Sequence, residues 1–264
     1  FPPLLLMGMR FVLAAFLLAW FVPLPRGHFW TLCWISFIAA TLQYGLTFSG
    51  LTLMAATPAV LLVQSEVIFG VIIAAILLGE RPSLRQVLGI VMASCGVVVI
   101  LGAPALEGQW LGIGLVLSGA LVWALGQVLI RRLDGALGGF QLTAWIGVMA
   151  GPQMLLASCL IDGNPLPAIQ AAPIEAWLTV IYLGVVMTAI GYSAWYYVLA
   201  RYPVPMVMPV LLLLPVAAIF GAVTMLGEVP DPMVLAGGML VIFGVGVVVV
   251  EPAYLLAWWR KKTG

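Results

Sequence analysis

Charged side chains are scarce in this sequence of 264 residues. Ten Lys and Arg residues and nine Asp and Glu residues make up 7% of the chain, whereas a soluble domain carries about 25% charged residues. Because so few charges cannot cover the surface of a protein of this length in water, the composition excludes a soluble globular domain. The hydrophobic content of 64% indicates that the surrounding solvent is a lipid bilayer.

Basic clusters, histidine and cysteine are also nearly absent. The net charge is +1, and the one basic cluster, Arg260-Lys261-Lys262, stands at the end of the chain. The electrostatic footprint of a nucleic-acid-binding protein is therefore missing. Cys33, Cys95 and Cys159 are scattered through apolar blocks without metal-ligand spacing. We expect neither a nucleic-acid partner nor a metal or other cofactor.

Long apolar runs dominate the sequence. A bilayer core of about 30 Å needs about 20 helical residues, because each residue advances a helix by about 1.5 Å. The runs are continuous, whereas barrel strands alternate in polarity, so we predict an all-α polytopic membrane protein. The first run lacks a basic segment before it and a cleavage site after it, and we expect it to remain in the mature protein. The nine predicted spans cover residues 4–22, 29–51, 57–79, 84–103, 110–130, 139–161, 176–199, 204–227 and 233–252.

The two halves of the chain repeat each other. A shift of 148 residues places Leu78-Gly79-Glu80 on Leu226-Gly227-Glu228, each followed by a proline two residues later, and places Tyr44 on Tyr192. A shared acid followed by a shared proline at a helix end is less common by chance than matches among Gly, Val and Leu. Many transporters consist of two related halves of opposite orientation.

The repeat unit has five helices. A shift of 139 residues aligns the earlier helices, from Phe1 on Phe140, and the span at 110–130 opens the second unit. Its counterpart would precede Phe1. We predict a first repeat at residues 1–106 with four helices, lacking its first, and a second, inverted repeat at 107–264 with five helices and a short basic tail. It stays open whether the missing first helix of the first repeat is removed or supplied otherwise.

Lys and Arg residues predict the orientation, because cytoplasmic loops are enriched in them. With residue 1 outside, every basic residue except Arg10 falls inside, and the C-terminus is cytoplasmic. Glu80 and its equivalent Glu228 then lie on opposite faces, as an odd number of helices per repeat requires. The residues predicted inside are Arg26, Arg81, Arg85, Arg131, Arg132, Arg201, Arg260, Lys261 and Lys262, and those predicted outside are Glu107, Asp162, Glu175, Glu228 and Asp231.

Four sequence features together indicate a family. They are the Arg10-Phe11 pair, the two Leu-Gly-Glu endings, and the stretch from Trp123 to Gln127 that leads to Arg131-Arg132. In these features the whole chain resembles the drug/metabolite transporter superfamily, in particular its EamA-type exporters, which include aromatic-amino-acid exporters of the YddG kind. The resemblance implies ten helices in a pseudo-twofold inverted arrangement, with a central cavity lined by both halves. It also implies a multi-pass protein of the bacterial inner membrane.

Two ionisable residues fall inside predicted spans, where an unpaired charge is costly. Arg10 and Glu66 both lie at depths of about 10 to 12 Å from the outer face. We predict that they form a buried ion pair. The alternative is that Glu66 faces the cavity and carries a coupling proton, because desolvation favours the neutral acid.

Amides and aromatic rings at helical spacing predict the substrate site. Glutamine amides can bind the ammonium or carboxylate of a solute, and aromatic rings can stack on it. The alternatives are structural roles: interhelical hydrogen bonds for the glutamines, and packing or interfacial positions for the rings. The predicted binding residues are Gln43, Tyr44, Phe48, Trp123, Gln127, Tyr192, Trp195 and Tyr196.

Two prolines lie inside predicted spans and are candidate hinges. Pro152 and Pro215 each remove a backbone hydrogen bond and should kink their helices. Membrane helices tolerate this where neighbours or a cavity satisfy the freed carbonyl. Packing alone is the alternative to a hinge for alternating access.

A secondary transporter is the leading functional interpretation. We predict export of small organic metabolites, with aromatic or large apolar amino acids as substrates, by alternating access through the central cavity. The alternatives are a proton-coupled drug efflux antiporter that uses Glu66 and a non-transporting membrane subunit, and a homodimer is left open. An enzyme is disfavoured because His28, the only histidine, lies in a loop and no span contains two carboxylates.

Overall fold

The computed structural model describes residues 1–54, 59, 62–101, 109–133, 135–226 and 232–250. The basic tail and the predicted outer residues Glu107, Glu228 and Asp231 lie outside these ranges. Within them, the regular secondary structure is helical throughout and contains no strand. The predicted all-α class is confirmed.

Nine apolar helices are observed within these ranges, and each overlaps one predicted span. By length and composition, seven of them can cross a membrane, and two, α3 and α4, are shorter within the described ranges. The helices are α1 (Pro3–Phe21), α2 (Phe29–Leu51), α3 (Ser65–Leu77), α4 (Leu84–Leu101), α5 (Trp110–Arg131), α6 (Gly139–Ile161), α7 (Ile174–Leu199), α8 (Val204–Val207, Met208–Leu213 and Leu214–Leu226 in succession) and α9 (Pro232–Val249). A further short helix, Leu166–Gln170, precedes α7.

Departures from α-helical winding occur at equivalent places in the two halves. Helix α2 is π-helical over Phe37–Leu42, and α7 is π-helical over Leu183–Tyr192. A shift of 148 residues carries the first segment into the second. Because single-sequence patterns do not encode a π segment in an obvious way, this agreement is an independent sign that the halves share one architecture.

Helices α4 and α9 cross at glycines in a reciprocal pattern. A Cβ atom on Gly89 would lie 2.7 Å from the carbonyl oxygen of Gly244, and one on Gly96 would lie 2.7 Å from that of Gly237. Gly89 and Gly237 are equivalent in the repeat, as are Gly96 and Gly244. When two equivalent helices meet across a twofold axis, each contact recurs with its members exchanged, as observed here. The inverted repeat is therefore visible in the packing.

The same small-residue packing joins α2 to α5. A Cβ atom on Gly50 would lie 2.9 Å from the carbonyl oxygen of Gly112, and Gly119 and Gly126 of α5 face Thr47 and Ala39 of α2. Small residues let helix backbones approach closely, which is the main route to tight packing in a bilayer.

An ion pair fixes helix ends at one face of the bundle. Gly79, with φ of 70°, ends α3 in the left-handed conformation, and the next residue is Glu80. The carboxylate of Glu80 accepts a hydrogen bond from Arg131 Nε at 2.9 Å and another from the backbone N–H of Val204 at 2.7 Å. Arg131 also donates to the carbonyl oxygen of Ala200 at 2.6 Å. The ends of α3, α5 and α7 thus meet at one face, in agreement with the predicted alternation of the spans.

The two predicted hinge prolines lie in different helical settings, and a kink at either stays a prediction. Helix α6 runs without interruption through Pro152, whose side chain is exposed. Pro215 is the second residue of the α-helical segment Leu214–Leu226, which follows a 3-10 segment. The first N–H groups of an α-helix have no intrahelical partner, so a proline at this position removes no α-helical bond. A hinge role for either proline stays a prediction.

Candidate functional site

Two tyrosines from equivalent positions meet at the centre of the bundle. Tyr44 of α2 and Tyr192 of α7 lie 148 residues apart, and their hydroxyl oxygens are 3.5 Å from each other. A residue that contacts its own equivalent lies on the axis that relates the two halves. The pair therefore marks the pseudo-twofold axis.

Aromatic rings surround this pair symmetrically. Phe48 stacks on Tyr44 with centroids 5.6 Å apart, and Tyr196, the equivalent of Phe48, lies 5.5 Å from Tyr192. Phe11 of α1 contacts both tyrosine rings, at 6.4 and 6.5 Å. We call the group formed by Arg10, Phe11, Tyr44, Phe48, Tyr192 and Tyr196 the axial cluster.

Arg10 is the charged member of the axial cluster. Its side chain is 6% exposed, and its Nη2 donates a hydrogen bond to the hydroxyl oxygen of Tyr44. Its guanidinium carbon lies 5.0, 5.1 and 5.9 Å from the ring centroids of Phe11, Tyr44 and Tyr192. At these distances an aromatic ring attracts a cation, and the attraction is stronger where water is excluded. Its Nε is buried and has no hydrogen-bond partner.

The predicted ion pair between Arg10 and Glu66 is not formed. The ion pair found among the described residues joins Arg131 to Glu80. Helix α1 packs mainly against α6 and α7, whereas α3, which carries Glu66, packs mainly against α5 and α8. Equal depth in the bilayer was the basis of the prediction, and depth does not determine which helices are neighbours. Glu66 is 8% exposed, with no hydrogen bond or ion pair to any described residue.

A second group of predicted residues lies beside the axial cluster. Trp195, one turn after Tyr192, donates from Nε1 to the amide oxygen of Gln127 at 2.8 Å. Its ring lies 6.3 Å from that of Trp123, centroid to centroid. Gln127 is 1% exposed, and its Nε2 lacks a hydrogen-bond partner. We call Trp123, Gln127 and Trp195 the indole group.

Gln43 does not join the axial cluster. Its Nε2 donates to Thr47 Oγ1 at 3.2 Å, on the face of α2 that packs against α5, and its Oε1 has no partner. Phe11 is not among the binding residues predicted from the sequence. Its position directly after Arg10 is the one signal in the sequence that points to it. Three predicted residues, Arg10, Gln43 and Gln127, thus supply the buried polar side-chain atoms left without partners in the described part of the chain.

The side chains of the axial cluster and the indole group are of kinds that can bind an organic solute. Rings, hydroxyl groups, amides and one guanidinium can stack on an organic solute and hydrogen-bond to it. Across the ranges that the structure describes, no three His, Cys, Asp or Glu residues come together as metal ligands would.

Comparisons with known proteins agree with this architecture. The sequence model of the EamA-like transporter family matches residues 1–102 and 110–250. A probable amino-acid metabolite efflux pump of Salmonella typhimurium is 31% identical over 252 residues, which cover 92% of this chain and 84% of that protein. A probable terminal-alkyne amino-acid exporter of Streptantibioticus cattleyicolor is 32% identical over 187 residues, or 70% of this chain and 61% of that protein. One crystal structure superposes with a TM-score of 0.77 at 22% identity, covering 94% of this chain and 88% of the other.

The fold and the match over both halves define a multi-pass membrane transporter. The chain belongs to the EamA-like transporter family.

Proposed function

We propose that the chain is a secondary exporter of amino acids with aromatic or large apolar side chains. The axial cluster binds the substrate, and alternating access exposes it to either face. The printed names of the relatives, an amino-acid metabolite efflux pump and an amino-acid exporter, support this substrate class. The family match supports transport rather than catalysis.

The observation that carries the proposal is the contact of Tyr44 with Tyr192 on the pseudo-twofold axis. Inverted repeats exchange their conformations during alternating access, so a site on the axis can be reached from either side of the membrane. The tyrosines lie in or just after the π-helical segments of α2 and α7. Short π-helical segments inside α-helices are frequent at functional sites. The walls are aromatic, which favours an aromatic or apolar solute.

Counterflow in proteoliposomes tests the proposal. Tyr196→Ala should reduce uptake of labelled phenylalanine about tenfold, because a buried stacking surface contributes about 1.4 kcal/mol and this energy corresponds to a factor of ten. The matched control is Tyr197→Ala, the next residue, whose side chain is 52% exposed on the outside of α7. Equal loss in both variants, or a lowered melting temperature that accounts for the loss at Tyr196, would contradict a binding role.

Proton coupling through Glu66 is the second candidate. Its support is a buried carboxyl group without a hydrogen bond or ion pair to the described residues, since such a group readily exchanges a proton when the site opens. Glu66→Gln should then fold normally, lose accumulation driven by a proton gradient and keep exchange. Glu175→Gln, an exposed acid at the start of α7, is the control. Unchanged gradient-driven accumulation in Glu66→Gln would exclude this candidate.

The orientation is part of the proposal, with the C-terminus cytoplasmic in a bacterial inner membrane. The support is the asymmetry of the basic residues. Cysteine substitutions at Arg132 and Asp162, in a background without the native cysteines, should react with impermeant reagent from the cytoplasmic and outer sides respectively. The reverse pattern would invert the topology.

We also propose that a further helix, the equivalent of α5, packs on α7. A groove of about 700 Å³ runs along α7 and α8, lined by Gly191, Ala194, Trp195, Val198, Met206 and Val210, among others. Gly191, Trp195 and Val198 are the equivalents of Gln43, Thr47 and Gly50, which lie on the face of α2 that packs against α5. Cysteine at Ala194 should react with a lipid-soluble maleimide when residues 1–264 are expressed alone, and it should be protected when a helix of this kind precedes Phe1. Equal reactivity with and without that helix would contradict its packing on α7.

A further inference from the structure

The guanidinium of Arg10 has no counter-charge among the described residues. Of the acids described, Glu80 pairs with Arg131, Asp162 accepts from Ser158 at the end of α6, and Glu175 lies in the first turn of α7. Glu66 is carried by α3, which packs on the α5 and α8 side of the bundle. A charged group in the bilayer interior normally has a partner or marks a substrate pathway.

We propose that Arg10 binds the carboxylate of the transported amino acid. This inference rests on the proposed function and assigns one substrate group to one residue. A guanidinium presents several N–H donors in a plane, which matches the two oxygens of a carboxylate. In Arg10, Tyr44 takes one hydrogen bond from Nη2, and the buried Nε is free to donate. The rings of Phe11, Tyr44 and Tyr192 surround the guanidinium and hold it in place.

The position of Arg10 also gives the substrate a direction. The tyrosines and their stacking partners come from both halves, but the residue equivalent to Arg10 in the second half is Met149, and the residue equivalent to Phe11 is Ala150. The cluster therefore has one side that carries both a cation and an additional ring, Arg10 and Phe11, and the equivalent positions in the second half carry neither. A carboxylate on that side leaves the substrate side chain to stack on the rings of Tyr192 and Tyr196.

A ligand series on the wild-type chain tests the assignment without any substitution. The probes are phenylalanine, its methyl ester and phenethylamine, which share the ring and the amino group but differ in the carboxylate. Thermal stabilisation in detergent and competition in counterflow should favour phenylalanine by about tenfold to a hundredfold, the range for a hydrogen bond to a charged group. Equal potency of the three probes would overturn the assignment.

Variants separate carboxylate binding from a structural role. Arg10→Gln should abolish the preference for phenylalanine over its methyl ester, whereas Arg201→Gln, at an exposed arginine outside the axial cluster, should retain it. A structural role of Arg10 would lower transport of all probes together and leave the preference unchanged, which would overturn the assignment. If Arg10→Gln does not fold, the wild-type ligand series decides.

The ligand series gives one result if Arg10 does not bind the carboxylate and another if the chain does not carry amino acids. A wild-type chain that carries amino acids but treats the ester alike loses only the role given to Arg10. A wild-type chain that carries no amino acid loses the proposed function and this inference with it.

Discussion

Helices α2 and α7 are equivalent elements with different surroundings. The face of α2 that contains Gln43, Thr47 and Gly50 is covered by α5, with backbone approach at Gly50 and Gly112. The equivalent face of α7 contains Gly191, Trp195 and Val198 and lines the groove of about 700 Å³. The two equivalent faces therefore differ in their side chains as well as in their neighbours, with glycine at position 50 of α2 and valine at the equivalent position 198 of α7. Glycine permits the close approach on α2, and larger side chains fill the corresponding position on α7.

The largest expected effect is at the reciprocal crossing of α4 and α9. A Cβ atom on Gly244 would lie 2.6 Å from the backbone nitrogen of Ala93 and 2.7 Å from the Gly89 carbonyl oxygen, so Gly244→Ala must push two backbones apart. We expect a loss of about 2 to 3 kcal/mol, measured by thermal unfolding in detergent. Gly246→Ala, on the same helix with nothing within 4 Å of its added Cβ, should be neutral or stabilising by up to about 1 kcal/mol of helix propensity. Similar melting temperatures for both variants would remove the argument from reciprocal packing.

Exchanging equivalent residues between α2 and α7 tests whether the two faces differ. Gly50→Val gives α2 the residue that its equivalent position has on α7, and the added Cβ would meet the Gly112 carbonyl oxygen at 2.9 Å. This should cost about 1 to 2 kcal/mol. The reverse change, Val198→Gly, should cost no more than about 1 kcal/mol of helix propensity, because Val198 lines the open groove. Equal losses in the two variants would mean that the two faces are not different.

Within the axial cluster, the two equivalent tyrosines should respond unequally. Tyr44→Phe removes the acceptor of the Arg10 hydrogen bond and should destabilise the fold by about 1 kcal/mol. Tyr192→Phe removes the hydroxyl contact with Tyr44 at 3.5 Å and a weaker polar interaction with Arg10, and it should have a smaller effect. Unfolding of both variants under identical detergent conditions measures the difference, and a larger loss at Tyr192 would contradict the role given to Arg10.

The smallest expected effect is at the face of the bundle, where Glu80 joins the first repeat to α5. Its ion pair with Arg131 is about one-sixth exposed on each side, with side-chain exposures of 17% and 16%. A double-mutant cycle with Glu80→Gln and Arg131→Met should give a coupling of about 0.5 to 1 kcal/mol. The coupling should weaken in high salt because water reaches the pair. A coupling near zero at low salt would show that the hydrogen bonds to Val204 and Ala200 hold the helix ends alone.

The features that sequence reasoning predicts well are those fixed by the bilayer and by the repeat. Bilayer thickness sets the length of each apolar run, which is why the described helices overlap the predicted spans. The repeat predicts that Tyr44 and Tyr192 are equivalent, and an axis between the halves brings them together.

The sequence does not predict which helices are neighbours within the bundle. Arg10 and Glu66 share a depth but are carried by helices that pack against different neighbours. A π segment adds a residue to a turn and rotates everything after it, so helical spacing misassigns faces beyond it. Gln43 follows the π segment Phe37–Leu42 at once, and its side chain turns toward α5 rather than toward the axial cluster.

Photo-crosslinking tests the location of the substrate site most directly. A photoreactive phenylalanine analogue, activated with the chain in proteoliposomes, should form adducts on peptides of α1, α2 and α7 that contain Arg10, Tyr44 and Tyr192, and excess phenylalanine should suppress them. Adducts confined to the groove along α7 and α8, or adducts that phenylalanine does not suppress, would contradict a substrate site on the pseudo-twofold axis.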